Sequence, residues 1–276
     1  MRPTPLQKAM RERTLSLGGY CTVSSPELME IMGHCGFNHV LIDHMFTAID
    51  WQTTAHMVRA ATLFGVAPLV RVQTYAWGSR GNDTHVASEV ARALGVGAAG
   101  AMVSIGSLKE LAACCLVQKD AHHKRIWIAP DVDAIEAGTA HDEDPNDKFF
   151  VLPLIELPEL VDQVDEMVRI EGLTAIGVGI HDICAAVGRP FDVEHADVWR
   201  LIDKLVNAAR PRNIDVWVNT GYRYKEVDEV SARISRLWDH GICTIQVQGP
   251  EYILYHVLNG IRSGATAAVK NRKLGP

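Results

Sequence analysis

Short apolar runs alternate with longer stretches whose apolar residues recur at helical spacing, and the alternation continues along almost the whole chain. The predicted strands are LSLGGYC from Leu15, HVLID ending at Asp43, APLVRV from Ala67 and AGAMVS ending at Ser104. Four more follow: FVLPLIE ending at Glu156, TAIGVG ending at Gly179, IDVWVNT ending at Thr220 and CTIQVQG ending at Gly249. They are continuously apolar rather than alternating, as expected of strands covered on both faces. Between them lie the helical patterns PELMEIMGHCG, WQTTAHMVRAATLFG, SEVARALG, SLKELAACCLVQ, LPELVDQVDEMVRIEG, ADVWRLIDKLVNAARP, KEVDEVSARISRLWDHG and EYILYHVLNGIRSG. The first follows Ser24-Ser25, an N-cap pair, with Pro26 in its first turn.

Eight strand–helix units imply parallel strands joined by right-handed crossovers. The expected fold is therefore a closed (β/α)8 TIM barrel, with an open doubly wound sheet as the alternative. No G-x-G-x-x-G opens a helix after the first strand, which counts against the open sheet. No linker divides the chain, so residues 1–276 are expected to form one domain. Residues 119–149 interrupt the pattern. They contain RIWIAP, read as an extra short strand, and the polar GTAHDEDPNDK, expected to form a lid or a surface excursion.

Length and composition agree with this. A chain of 276 residues, 47% hydrophobic and 22% charged, fits one TIM barrel and buries its core without disulfides. The net charge of −6 gives no reason to expect nucleic acid or an anionic membrane as partner. No apolar run is long enough to span a bilayer, and MRPTPLQKAMRERT lacks the apolar core of a signal peptide, so the expected location is cytoplasmic. The six cysteines lie in apolar contexts without a C-x-x-C pair and read as reduced, buried thiols.

In a TIM barrel the chemistry gathers at the C-terminal ends of the strands. Here those ends carry Asp43 and His44, Arg71 and Gln73, Ser104, Glu156, His181 and Asp182, Asn219, and Gln246 with Gln248. Ordinary loop polarity accounts for Asn219 and Gln248. It accounts poorly for Glu156 and Arg71, which adjoin apolar residues where an unpaired charge is costly. Glu156 and Asp182 end or follow consecutive strands, so their carboxylates can converge. Two oxygen ligands suit Mg²⁺, Mn²⁺ or Co²⁺ and leave most of the coordination shell to water and substrate. By spacing alone, a salt-bridged carboxylate pair is an equal alternative.

These residues also carry a resemblance. LGGYCTVSSPELMEIMGHCGFNHVLID, APLVRVQ, GVGAAGAMVSIGSLKELAA and LPLIELPELVDQVDEMVRIEGLTAIGVGIHDICAAVG occur in the order of four blocks of the HpcH/HpaI aldolase family, which the chain resembles from about Leu15 to Ala267. The resemblance implies a barrel of the phosphoenolpyruvate/pyruvate-binding type and a metal-dependent aldolase acting on a 2-oxo acid and an aldehyde or oxo-acid acceptor. It implies that Glu156 and Asp182 bind the metal and that Arg71 contacts the 2-oxo group. The backbone at Gly179, Ile180 and His181 would hold the substrate carboxylate. Ser104 joins the substrate-facing residues, and Asp43 and His44 join Arg71 as catalytic candidates. Relatives form hexamers or other homo-oligomers through the last helix, so EYILYHVLNGIRSG is expected either to pack on a neighbour or to cover its own barrel.

The chain departs from the family at the reacting end. Where the family reads "liD.EH", this chain reads LIDHMF: Met45 replaces the Glu, Phe46 replaces the His, and His44 stands two positions early. The base is then His44, His181 or a metal-bound water. Leu154 stands where some relatives have a glutamine, and Ser104 where many have a proline. QKDAHHKRIWIAPDVD replaces a "YpP.G.RG" loop, and its run His122, His123, Lys124, Arg125 is either a solvated face or a site for a distal anionic group. The departures leave open a citrate-synthase-like or oxaloacetate-decarboxylating barrel, or a binder of metal and 2-oxo acid without catalysis.

Overall fold

The computed structural model describes residues 5–74, 83–128, 149–221 and 226–269. Eight parallel strands close into a barrel in chain order: β1 (Ser16–Cys21), β2 (His39–Asp43), β3 (Ala67–Arg71), β4 (Gly100–Ser104), β5 (Phe150–Ile155), β6 (Ala175–Val178), β7 (Asp215–Asn219) and β8 (Thr244–Val247), with β8 pairing back onto β1. All eight predicted strands are present, and the closed barrel replaces the open sheet considered from sequence.

The continuous apolar runs follow from the barrel's two buried faces. Leu41, Leu69, Met102, Phe150, Leu152, Leu154 and Trp217 point inward and form one cluster. Their neighbours Val70, Val103, Val151, Ile155, Ile176, Val216 and Val218 point outward under the helices. The two-residue period of a strand therefore runs unseen beneath a uniformly hydrophobic sequence. Where an inward column reaches the C-terminal rim its last member turns polar: Tyr20 after Gly18, Asp43 after Leu41, Arg71 after Leu69, Glu156 after Leu154, Asn219 after Trp217.

Two elements were not read from sequence. The helix Pro5–Glu12 closes the N-terminal end of the barrel, with Leu6 fully buried in the inner cluster. A second short helix, Ile180–Ala186, starts directly after β6. Two readings need correction. LPELVDQVDEMVRIEG forms two short helices, Pro158–Asp162 and Val164–Met167, divided at Gln163, whose side chain donates to the Glu159 carbonyl at 3.1 Å. RIWI, expected as a strand, instead continues the helix Leu108–Ile128, because its apolar residues suit either period. The run of residues 122–125 belongs to that same helix. Most of the predicted lid, residues 129–148, lies outside the described residues. Among the described residues no helix is long and apolar enough to cross a membrane. Five of the six cysteines are buried and Cys35 is exposed; all are free thiols.

Candidate active site

A cavity of about 560 Å³ opens at the C-terminal rim. Its walls carry Tyr20 from β1, Asp43 from β2, Arg71 from β3, Glu156 after β5, Gly179 to Asp182 after β6, Asn219 from β7 and Gln246 from β8. Period-two columns from neighbouring strands converge there, which is why residues far apart in sequence share one space.

Arg71 is the hub. Its Nη1 donates to the Tyr20 hydroxyl at 2.6 Å, and its Nη2 donates to Glu156 Oε1 at 3.3 Å and to Ser104 Oγ at 3.4 Å. Ser104 Oγ in turn donates to Glu156 Oε1 at 3.3 Å. Burial works against the guanidinium charge, but Tyr20, Asp43 and Glu156 outweigh it and hold Arg71 above its ordinary pKa. Burial above all pushes the Tyr20 phenol well above its ordinary range, opposed by Arg71 and assisted by the negative charge of neighbouring Asp43. Asp43 is fully buried. Its Oδ1 accepts from the Met45 backbone N–H at 2.8 Å, while Oδ2 has no hydrogen-bond partner among the described residues.

Glu156 and Asp182 line the same cavity. Gly179 leaves the room that Glu156 occupies: a Cβ there would lie 2.4 Å from Glu156 Cγ. Gly179 also begins the helix that carries Asp182, without a side-chain cap. Among the described residues no group of three or more His, Cys, Asp or Glu side chains is placed to hold a metal, so any ion here would rest on two carboxylates. His181 lines the cavity with its ring near Phe191, and burial, opposed by Asp182, lowers its pKa.

The two histidines weighed from sequence separate. His44 does not line the cavity. Its Nε2 lies 2.6 Å from Thr54 Oγ1, and its ring packs on Trp51 with centroids 4.3 Å apart, facing the helix Trp51–Leu63. Two positions preserve a side chain's face only inside a strand, and β2 ends at Asp43. Phe46 takes the cavity position instead, 63% exposed, with the Arg71 guanidinium 4.9 Å from its ring centroid. Ser104 sits behind the cavity wall, buried, and touches Arg71 and Glu156.

Two residues were missed. Tyr20 reads as one more apolar residue of a strand; its signal is its place as the last inward position after Gly18. Glu251 reads as an ordinary first-turn acid, yet its Oε1 accepts from the Thr22 backbone N–H at 3.2 Å and from the Thr22 hydroxyl. This latch ties the start of the helix Pro250–Val269 to the end of β1.

Comparison with known proteins places this geometry. The profile described as HpcH/HpaI aldolase/citrate lyase matches residues 17–250. The 5-keto-4-deoxy-D-glucarate aldolase of Escherichia coli (strain K12) is 26% identical over 210 residues, covering 75% of this chain and 78% of that protein. Among solved structures, an HpcH/HpaI aldolase from Desulfitobacterium hafniense DCB-2 superposes with a TM-score of 0.74 at 18% identity, over 99% of this chain and 100% of its own. The citrate synthase SbnG superposes with a TM-score of 0.73 at 20% identity, over 96% and 98%. These structural likenesses speak for the fold.

Proposed function

The chain belongs to the HpcH/HpaI aldolase/citrate lyase family, and from that premise we propose that it is a divalent-metal-dependent aldolase that makes or breaks a carbon–carbon bond through the enolate of a 2-oxo acid. The supporting observation is the convergence of Arg71, Glu156 and Asp182 on one cavity, with Arg71 3.3 Å from Glu156.

The donor set fits a hard divalent ion. Two carboxylates supply oxygen ligands and leave the other positions to water and to a chelating 2-oxo acid, a pattern suited to Mg²⁺, Mn²⁺ or Co²⁺. When bound, such an ion acts as a Lewis acid on the substrate carbonyl. The chain's own residues do the rest. Arg71, fixed by Tyr20, Ser104 and Glu156, places a permanent positive charge where the enolate oxygen gains its charge. Gly179, Ile180 and His181 bring backbone to the cavity for the substrate carboxylate. His181, which lines the cavity while His44 does not, is assigned the proton at the carbon next to the carbonyl. Ser104 acts by holding Arg71 and Glu156.

The helix Pro250–Val269 supports a homo-oligomer. Ile253, Leu254, Tyr255, Val257, Leu258 and Ile261 are each 48–64% exposed, an apolar face suited to covering by another copy. Light scattering is expected to return a multiple of the chain mass, and Ile261→Asp combined with Leu258→Asp to reduce it. Metal binding is tested by titrating Mn²⁺ and following its electron paramagnetic resonance. One tight site per chain, lost in Glu156→Ala and in Asp182→Ala, is expected; full binding by both variants would rule out this ligand pair.

A further inference from the structure

We propose that Tyr20 is a catalytic residue of this aldolase, moving the proton of the acceptor's hydroxyl oxygen in partnership with Asp43. The inference rests on the enolate reading above and assigns a second proton transfer to the same cavity. An aldol reaction needs two transfers: one at the carbon beside the carbonyl, and one at the oxygen that alternates between aldehyde and hydroxyl.

Neither of two positions just after β2 serves that oxygen. His44 faces Thr54 and Trp51, and Phe46, which takes the cavity position, carries no exchangeable proton. Tyr20 stands on the adjoining strand β1, lines the cavity and carries one. Its oxygen accepts from Arg71 Nη1 at 2.6 Å, which leaves a second lone pair for a substrate hydroxyl and leaves its own O–H to donate. The strand pairing places Asp43 beside Arg71 on the same rim. Asp43 faces the Tyr20 hydroxyl closely enough for its charge and hydrogen bonding to act on that group, and its buried Oδ2 accepts from no other described residue. Tyr20 stays protonated because of its burial, so it serves as a relay and not as a standing base.

In the cleavage direction the substrate's C4 hydroxyl gives its proton to the Tyr20 oxygen while the Tyr20 proton passes to Asp43 Oδ2. The electron pair of the broken O–H bond forms the aldehyde C=O. The pair of the broken C3–C4 bond remains on C3 as the enolate. The proton on Asp43 returns to solvent, and C3 takes one up when the enolate becomes the 2-oxo acid. Condensation runs the same steps backwards. Arg71 meanwhile steadies the tyrosine oxygen during transfer.

The test separates the two protons. Tyr20→Phe keeps the ring and removes the hydroxyl. The full-length variant, with Mn²⁺, is assayed for deuterium exchange into pyruvate C3 and for cleavage of 4-hydroxy-2-oxopentanoate, and its thermal midpoint and oxalate binding are compared with the parent. The expected result is cleavage reduced by roughly 100- to 10,000-fold, with pyruvate exchange far less affected and oxalate binding retained. Unchanged cleavage would overturn the assignment. So would an equal fall in both reactions, since that is the signature of Tyr20 merely positioning Arg71. A parent protein that exchanges no pyruvate protons would remove the enolate reading itself, and this inference with it; exchange in the parent with normal cleavage in Tyr20→Phe removes the inference alone.

Discussion

The two ends of the barrel both bury ionisable side chains, and they treat them in opposite ways. At the C-terminal rim, Asp43, Glu156 and Arg71 share a cavity, and opposite charges hold Arg71 ionised despite its burial. At the N-terminal end burial prevails over the charges around His39 and Asp215, for Asp215 against a weaker pull from Arg13. His39 meets Ser16 Oγ at 3.2 Å and the Trp217 ring, and burial drives its pKa down to about 3. Asp215 accepts from the Thr244 hydroxyl, and burial raises its pKa to about 6. Burial alone therefore pushes a group toward neutrality, whereas burial with convergent opposite charge stores a field. The second arrangement is the candidate for catalysis, and it opens onto the cavity at the rim.

The sharpest way to break this contrast is to remove the field. Arg71→Ala is expected to reduce cleavage of a 4-hydroxy-2-oxo acid by about 1,000-fold, measured as kcat/KM, with little change in thermal midpoint. At the opposite end the effect falls on stability. Leu6→Ala opens a hole in the inner cluster and is expected to cost about 2–5 kcal/mol in denaturant unfolding, while kcat/KM stays within roughly threefold of the parent.

The sealed end also sets an acid limb. Between pH 6.5 and about 3 the unfolded chain binds the His39 proton that the folded state refuses, so stability falls as pH falls through that window. Asp215 acts in the opposite sense. Between 3.8 and about 6 the folded state holds the extra proton, so stability is gained as pH falls there. His39→Phe should therefore flatten the acid limb by an amount on the order of a few kcal/mol, and Asp215→Asn should steepen it. Chemical denaturation across pH 3.5–7 reads both. The smallest effect belongs to the rim's outer edge: Phe46→Ala removes a cation–π contact worth about 0.5–1 kcal/mol and should raise KM for the 2-oxo acid a few fold.

Most of the barrel was legible because each strand is a compact apolar run and the helices between them keep a regular period. Arg71 and Glu156 stood out because a charge beside residues such as Leu69, Val70, Leu154 and Ile155 demands an explanation, and Asp182 because it follows the next strand after Glu156. Tyr20 did not stand out, because an aromatic ring at the end of SLGGYC looks like more core. Its role depends on Arg71 reaching across β2 to its hydroxyl, a contact that no local pattern encodes. The two readings of His44 could not be separated locally, because strand periodicity stops with β2 at Asp43 and the contacts of its ring with Thr54 and Trp51 come from the following helix. The helix Pro5–Glu12 is short, and its purpose as a floor for the barrel appears only once the strands have closed above Leu6.

The most direct measurement is the exchange of pyruvate C3 protons for deuterium, followed by nuclear magnetic resonance with Mg²⁺, Mn²⁺ or Co²⁺ present. The account predicts metal-dependent exchange by the parent protein, abolished in Glu156→Ala and Asp182→Ala and undiminished in His44→Ala. Absence of exchange with every one of these metals, or full exchange in the two carboxylate variants, would contradict it.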